Sequence, residues 1–137
     1  MAHSPERLAE FGEQFQRMVG MWEEAMGSGD TRGLESDMAE GVVCYFGQAG
    51  AGLMTVLDRD GIVAGMRRSV AALQGCSKRF EHVMIRMRSD EEAVVFFEQV
   101  VERAGRVLAR LFTIETYQRR SSGHWVCVRE VVEHTGS

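Results

Sequence analysis

RVLARLFTIETY, residues 106–117, decides the fold. Its side chains alternate as in a strand. Val107, Ala109, Leu111, Thr113, Glu115 and Tyr117 fall on one face, and Leu108, Arg110, Phe112, Ile114 and Thr116 on the other. Neither face is simply polar, so the strand is expected to be covered on both sides. Glu115 is the only carboxylate in the stretch. On such a strand it is either half of an ion pair, with Arg129 or Arg110 as partner, or the acid of a pocket, where burial favours its neutral form.

The same period of two runs outward through residues 80–88, 93–103, 106–119 and 124–134. Turns at 89–92, 104–105 and 120–123 separate these four strands. Upstream the period becomes helical. Ser4-Pro5 reads as an N-cap followed by proline at the first helical position. Leu8, Phe11, Phe15, Met18, Val19, Trp22, Ala25 and Met26 then recur on one face of a helix over 5–27, broken at Gly27-Ser28-Gly29. Asp30 is read as the cap of a second helix carrying Leu34 and Met38 and closed by Gly41. Residues 42–46 and 53–57 read as a hairpin around the GQAGAG turn at 47–52, and Asp60 as the cap of a third helix with Ile62, Met66, Val70 and Leu73 on one face. The expected architecture is α+β: a curved antiparallel sheet wrapped on the long N-terminal helix, with two further helices, in one domain over 1–137. The open end of such a cone is a natural pocket.

Composition narrows the function. The chain has 137 residues, 45 % of them hydrophobic and 26 % charged, the profile of an ordinary globule. Net charge is −4 and no basic stripe is present, which argues against nucleic acid. No apolar run approaches a membrane span, and the polar start does not read as a signal peptide. Cys44, Cys76 and Cys127 are far apart and odd in number, which fits free thiols in a reducing compartment, the cytoplasm. Lys78 is the single lysine beside fifteen arginines, a skew read as base-composition bias.

The element order resembles the nuclear transport factor 2-like superfamily, which includes ketosteroid isomerases and SnoaL-like polyketide cyclases. The resemblance covers nearly the whole chain. It rests on Trp22 eight residues before Asp30, on Ala39-Glu40-Gly41-Val42-Val43 leading into the first strand, on Asp60-Gly61-Ile62, and on the closing hairpin with Trp125 just after its turn glycine. By the ketosteroid isomerase pattern, Trp22 stands where that family has its helix tyrosine, Glu115 where it has its late-strand acid, and Phe46 where it has its proton-moving aspartate. The resemblance implies cofactor-independent acid–base isomerisation, dehydration or cyclisation of a hydrophobic, polyketide-like metabolite. The alternative is a ligand-binding or assembly module of the same fold.

The candidate catalytic residues are therefore Glu115 as proton donor or oxyanion holder, Tyr45 as phenol donor and His82 as base. Trp22, Phe46, Phe112 and Thr113 are the candidate ligand contacts, with Glu130 or Arg129. If Arg119 lies opposite His124, Glu130 lies opposite Thr113 on the Glu115 face; a slip of one residue brings Arg129 there instead. The bland readings are a rim tyrosine for Tyr45, a core anchor for Trp22 and an exposed strand histidine for His82. His124 and His134 read as turn and tail residues, and no histidine has a metal-ligand partner at useful spacing. No cofactor or metal is expected. The nine methionines suit an adaptable apolar lining or simple core filling. The face with Arg110, Phe112 and Ile114 suits a homodimer.

Overall fold

The computed structural model describes residues 3–48, 52 and 54–136. Three helices and six strands follow in the order α1 (Pro5–Ser28), α2 (Arg32–Ser36), β1 (Met38–Gln48), β2 (Met54–Leu57), α3 (Arg59–Ala72), β3 (Ser77–Met87), β4 (Glu92–Arg103), β5 (Arg106–Arg119) and β6 (Trp125–Gly136). The strands form one curved sheet in the order β2-β1-β6-β5-β4-β3. It is antiparallel except where β1 runs parallel to β6.

Local chemistry explains the boundaries. The Ser4 hydroxyl accepts from the Arg7 amide, and Gly29, at φ 83°, closes α1 by donating to the Ala25 carbonyl. A residue with a Cβ rarely adopts that φ. The boundaries of α2 and α3 differ from the sequence reading. Thr31, not Asp30, is the N-cap residue of α2 and its side chain makes no cap hydrogen bond; the Asp30 carboxylate, one residue earlier, accepts from the Arg32 amide at 3.1 Å and from its guanidinium at 2.8 Å. Met38 and Gly41 belong to β1, so α2 ends before them. Asp58, not Asp60, caps α3, its carboxylate accepting from the Gly61 amide at 2.9 Å. Of the expected turn at 47–52 and the strand beginning at Leu53, residues 49–51 and 53 lie outside the described residues.

The core lies between α1 and the inner face of the sheet. Phe11 and Phe15 of α1 are buried against Phe97, Tyr117 and Trp125. The helix is also clamped to β6. The Gln14 side-chain amide donates to the Trp125 carbonyl at 2.6 Å and its oxygen accepts from the Trp125 amide at 3.0 Å. Glu10 accepts from the Trp125 indole N–H at 2.9 Å and from Arg119 at 2.8 Å. These contacts fix which end of the sheet α1 closes.

Register defines two faces. Residues paired directly across strands share a face. Leu57, Cys44, Glu130, Glu115, Val95 and Ile85 form one row of the inner face. The neighbouring outer row is Val56, Tyr45, Val131, Ile114, Phe96 and Met84, apolar but for one phenol hydroxyl. Among the described residues nothing covers that outer row: Val56 is 61 % exposed and Met84 57 %. The expectation that β5 is covered on both faces therefore fails for the chain taken singly.

Candidate functional site

Glu115 and Glu130 face each other across the β5–β6 ladder. The sequence reading set Glu130 opposite Thr113 on the Glu115 face or replaced it by Arg129; Glu130 is on that face, but opposite Glu115 rather than Thr113. The ladder shifts register between Thr116 and Tyr117: Tyr117 pairs with Cys127 but Thr116 with Arg129, which leaves Val128 unpaired. That extra residue brings Glu130 onto Glu115 and turns Arg129 to the outer face, where its guanidinium lies 5.3 Å from the Tyr45 ring centre.

Like charges directly opposite repel, and here no basic group touches them, although the charge of Lys78 opposes the rise in the Glu115 pKa from farther off. Among the described residues, no arginine, lysine or histidine nitrogen lies within 4.0 Å of either carboxyl. Arg110, the other partner considered, is on the outer face, 3.8 Å from Glu81. Glu115 is 8 % exposed. Burial first, then the hydrogen bond and charge of Glu130, push its pKa well above the ordinary carboxylate range. Burial beside a second carboxyl thus favours the neutral form of Glu115. The buried Tyr117 hydroxyl donates to Glu115 Oε1 at 2.9 Å and opposes the shift, while burial and Glu115 raise the phenol's own pKa. The buried Cys44 and Cys127 thiols flank the pair, and burial pushes both up, so they are inert neighbours.

The pair opens onto a cavity of about 50 Å³, room for a few waters. Its apolar wall comes from Met18 and Trp22 of α1, Leu34 of α2, Met38 and Val42 of β1, and Ile62 and Met66 of α3. Glu115, Glu130, Tyr117, Cys127 and Asp37 make its polar wall. Asp37 also borders an outer groove of about 440 Å³ between α1 and His124, with Gln14, Arg17 and Met21 on its side. His124 Nε2 lies 2.7 Å from Asp37 Oδ1. Burial raises the Asp37 pKa against that hydrogen bond. Asp37 and His124 are therefore an acid–base pair set between cavity and groove.

Behind Trp22 stands Lys78. It projects from the inner face of β3, paired with the buried Val101, and its Nζ lies 3.5 Å from the Trp22 ring centre. Burial pulls its pKa down to about 8, against the charges of Glu130 and Glu115.

The structure thus brings Glu115, Glu130 and Trp22 together at one cavity. Thr113 is on the same face one step along, but fully buried and accepting from Gln99 Nε2 at 2.9 Å. Phe46 is on the inner face, outside the cavity wall and 40 % exposed. Tyr45, Phe112 and Arg129 are on the outer face and do not reach the cavity. His82 is not a base facing it either. It occupies a register shift in β3 at φ 56°, its side chain 76 % exposed and 3.7 Å from Glu98. There Glu81, His82 and Glu98 offer ligand atoms within 4.8 Å of one another, although their spacing in sequence promised no such grouping, and Arg79 and Arg110 engage Glu81.

Asp37, His124, Tyr117 and Lys78 were not assigned roles from the sequence. Asp37 and His124 are 87 residues apart and carry no local mark. Lys78 did: a single lysine at the head of an alternating apolar strand.

No family model matches the sequence, and no curated protein does. Solved structures do match in shape. A nuclear transport factor 2-like protein of unknown function from Pseudomonas aeruginosa gives a TM-score of 0.70 at 14 % identity, over 93 % of this chain and 99 % of its own. A Parabacteroides distasonis protein provisionally assigned as a ketosteroid isomerase gives 0.61 at 11 %, over 85 % and 84 %. The yeast UBP3-associated protein BRE5 gives 0.69 at 10 %, over 91 % and 93 %. With α1 held in a curved six-stranded sheet and these likenesses over most of its length, the chain has the nuclear transport factor 2-like fold.

Proposed function

We propose that the chain, a single domain, is a cofactor-independent acid–base enzyme acting on a small apolar molecule that bears a carbonyl or hydroxyl group. The observation that carries this reading is the carboxyl pair: two glutamates in contact in an apolar cavity, with no ion partner within 4.0 Å among the described residues. A stability-driven sequence has no reason to keep such a pair, whereas a proton donor beside a proton acceptor is what isomerisation, dehydration or cyclisation needs. Protonated Glu115, held by Tyr117, gives a hydrogen bond or proton to the substrate oxygen, and Asp37, backed by His124, takes the carbon-bound proton. Trp22 and the three methionines of the wall, Met18, Met38 and Met66, hold the apolar body. A polyketide-like substrate fills far more than 50 Å³, so α2 and α3 must move outward to admit one. The free, buried thiols suit a reducing compartment, and the cytoplasm is the proposed location. Among the described residues no helix is long and apolar enough to cross a membrane.

The test is a screen of β,γ-enones, β-hydroxyketones and aromatic polyketides by proton NMR in deuterated buffer, with Glu115→Gln in parallel. Turnover that drops about 10²–10⁴-fold in the variant supports the reading. Turnover untouched by the variant removes Glu115 from the chemistry.

The smallness of the cavity favours a second reading, a binding or assembly module. The apolar outer row from Val56 to Met84 supports an isologous homodimer in either case. Ile114 lies near its middle. Ile114→Glu is expected to convert a dimer to a folded monomer, read by sedimentation velocity; a wild-type chain that is monomeric at tens of micromolar ends the dimer proposal.

A further inference from the structure

Lys78 is used by neither the acid–base pair nor the core. Its ammonium nitrogen takes part in no hydrogen bond or ion pair among the described residues, and rests only on Trp22 at 3.5 Å. It is also not sealed off, since Arg7 Nε is the only buried side-chain polar atom without a partner among the described residues. A lone amine of this kind is half-buried, reachable, unpaired, backed by an aromatic face and within the field of two carboxyls.

We propose that Lys78 forms a Schiff base with an aldehyde or ketone bound at the Trp22 wall. The neutral amine adds to the carbonyl carbon as the C=O π bond opens, the new C–N bond forms, nitrogen gives up one of its two protons and the oxygen takes one up, giving a carbinolamine. The C–O bond then breaks, water leaves with one further proton supplied to it, and nitrogen loses its remaining proton as the C=N bond forms. One carbonyl and one amine give one imine and one water, and no oxidant or reductant enters. The Glu115–Glu130 pair is the local source and sink for those protons. Beside the contact with Trp22, burial brings the pKa of the amine down to about 8, so at pH 7 roughly a tenth of it is neutral where an ordinary lysine is almost wholly charged. The inference shares with the proposed function a carbonyl-bearing ligand, but it does not need Glu115 to catalyse anything.

The experiment uses the full chain with benzaldehyde and sodium cyanoborohydride at pH 7, followed by peptide mass spectrometry. Reduction fixes the imine as a stable benzylamine. Lys78 is the chain's only lysine, so the α-amino group is the internal standard. The expected result is labelling of Lys78 at least tenfold faster in the native chain than in the same chain in guanidinium chloride, each relative to the α-amino group. Lys78→Arg should remove that product and leave the melting temperature nearly unchanged. Trp22→Leu should slow native labelling severalfold. Labelling of Lys78 that is no faster native than denatured overturns the proposal. The Glu115→Gln chain separates the two readings: Lys78 labelling that survives there alongside lost turnover leaves both standing. Lys78 labelling in a chain that turns nothing over leaves only the amine.

Discussion

Trp125→Ala is expected to remove most of the protein's stability, a loss of about 3–5 kcal/mol from a total of roughly 5–15 kcal/mol. Trp125 is 0 % exposed and is the largest side chain so enclosed. Its ring lies edge-on to Phe11 at 5.2 Å, and its indole N–H is spoken for by Glu10 at 2.9 Å. Alanine would leave a ring-sized void between α1 and β6, and would leave Glu10 with Arg119 and, at 3.9 Å, Arg7. Collapse cannot fill the void easily, because Gln14 holds the Trp125 backbone on both its N–H and its carbonyl. Urea unfolding measures the change. Trp125→Phe is the control: it keeps most of the packing, drops one hydrogen bond, and should lose about 1–2 kcal/mol. A loss under about 1.5 kcal/mol for the alanine variant would mean that α1 does not depend on this anchor.

That anchor was legible as sequence, and the site was not. Trp125 follows the turn glycine of a hairpin whose outer strand, 106–119, has the bounds that alternation predicts. Period alone places such elements because each must bury one face. The site depends on relations that period does not carry. Counting back from the 120–123 turn assumes Arg119 opposite His124 and an unbroken ladder; Arg119 pairs with Trp125 instead and Val128 is unpaired, and the two single-residue shifts together carry Glu130 from Thr113 to Glu115. The same kind of shift in β3 put His82 outside. Tyr45 and Phe46 were placed by analogy with a position rather than by face, and β1 turned Tyr45 away from the cavity. Asp37 meets His124 only because the Asp37 carbonyl accepts from the Cys127 amide at 2.7 Å, a contact between the end of α2 and the last strand. Lys78 was legible and was given no role, because the preference for arginine was read as background, although it made the one exception informative.

Glu115→Gln is expected to stabilise the protein progressively as pH rises. Glu115 binds its proton more tightly in the folded chain than in the unfolded one. Over the interval between those two affinities the folded state carries the extra proton, so stability falls with rising pH, by at most about 1.4 kcal/mol per pH unit for one proton. Below the unfolded pKa both states are protonated and nothing is lost; above the folded pKa the full penalty of a buried carboxylate beside Glu130 is present. Glutamine mimics the protonated acid. Its oxygen still accepts from Tyr117 and its amide can donate to Glu130, but it cannot ionise. Wild type and variant should therefore melt together near pH 4.5, and the variant should melt higher by several degrees, roughly, at pH 8. The difference isolates this site. Asp37, also raised, gives both chains the same downward slope, and Glu10, Asp30 and Glu35, lowered by their arginines, give both the same loss toward acid. Two melting curves that stay parallel from pH 4.5 to pH 8 would mean that Glu115 is ionised throughout. The carboxyl pair would then hold no proton to give, and the proposed chemistry would lose its acid.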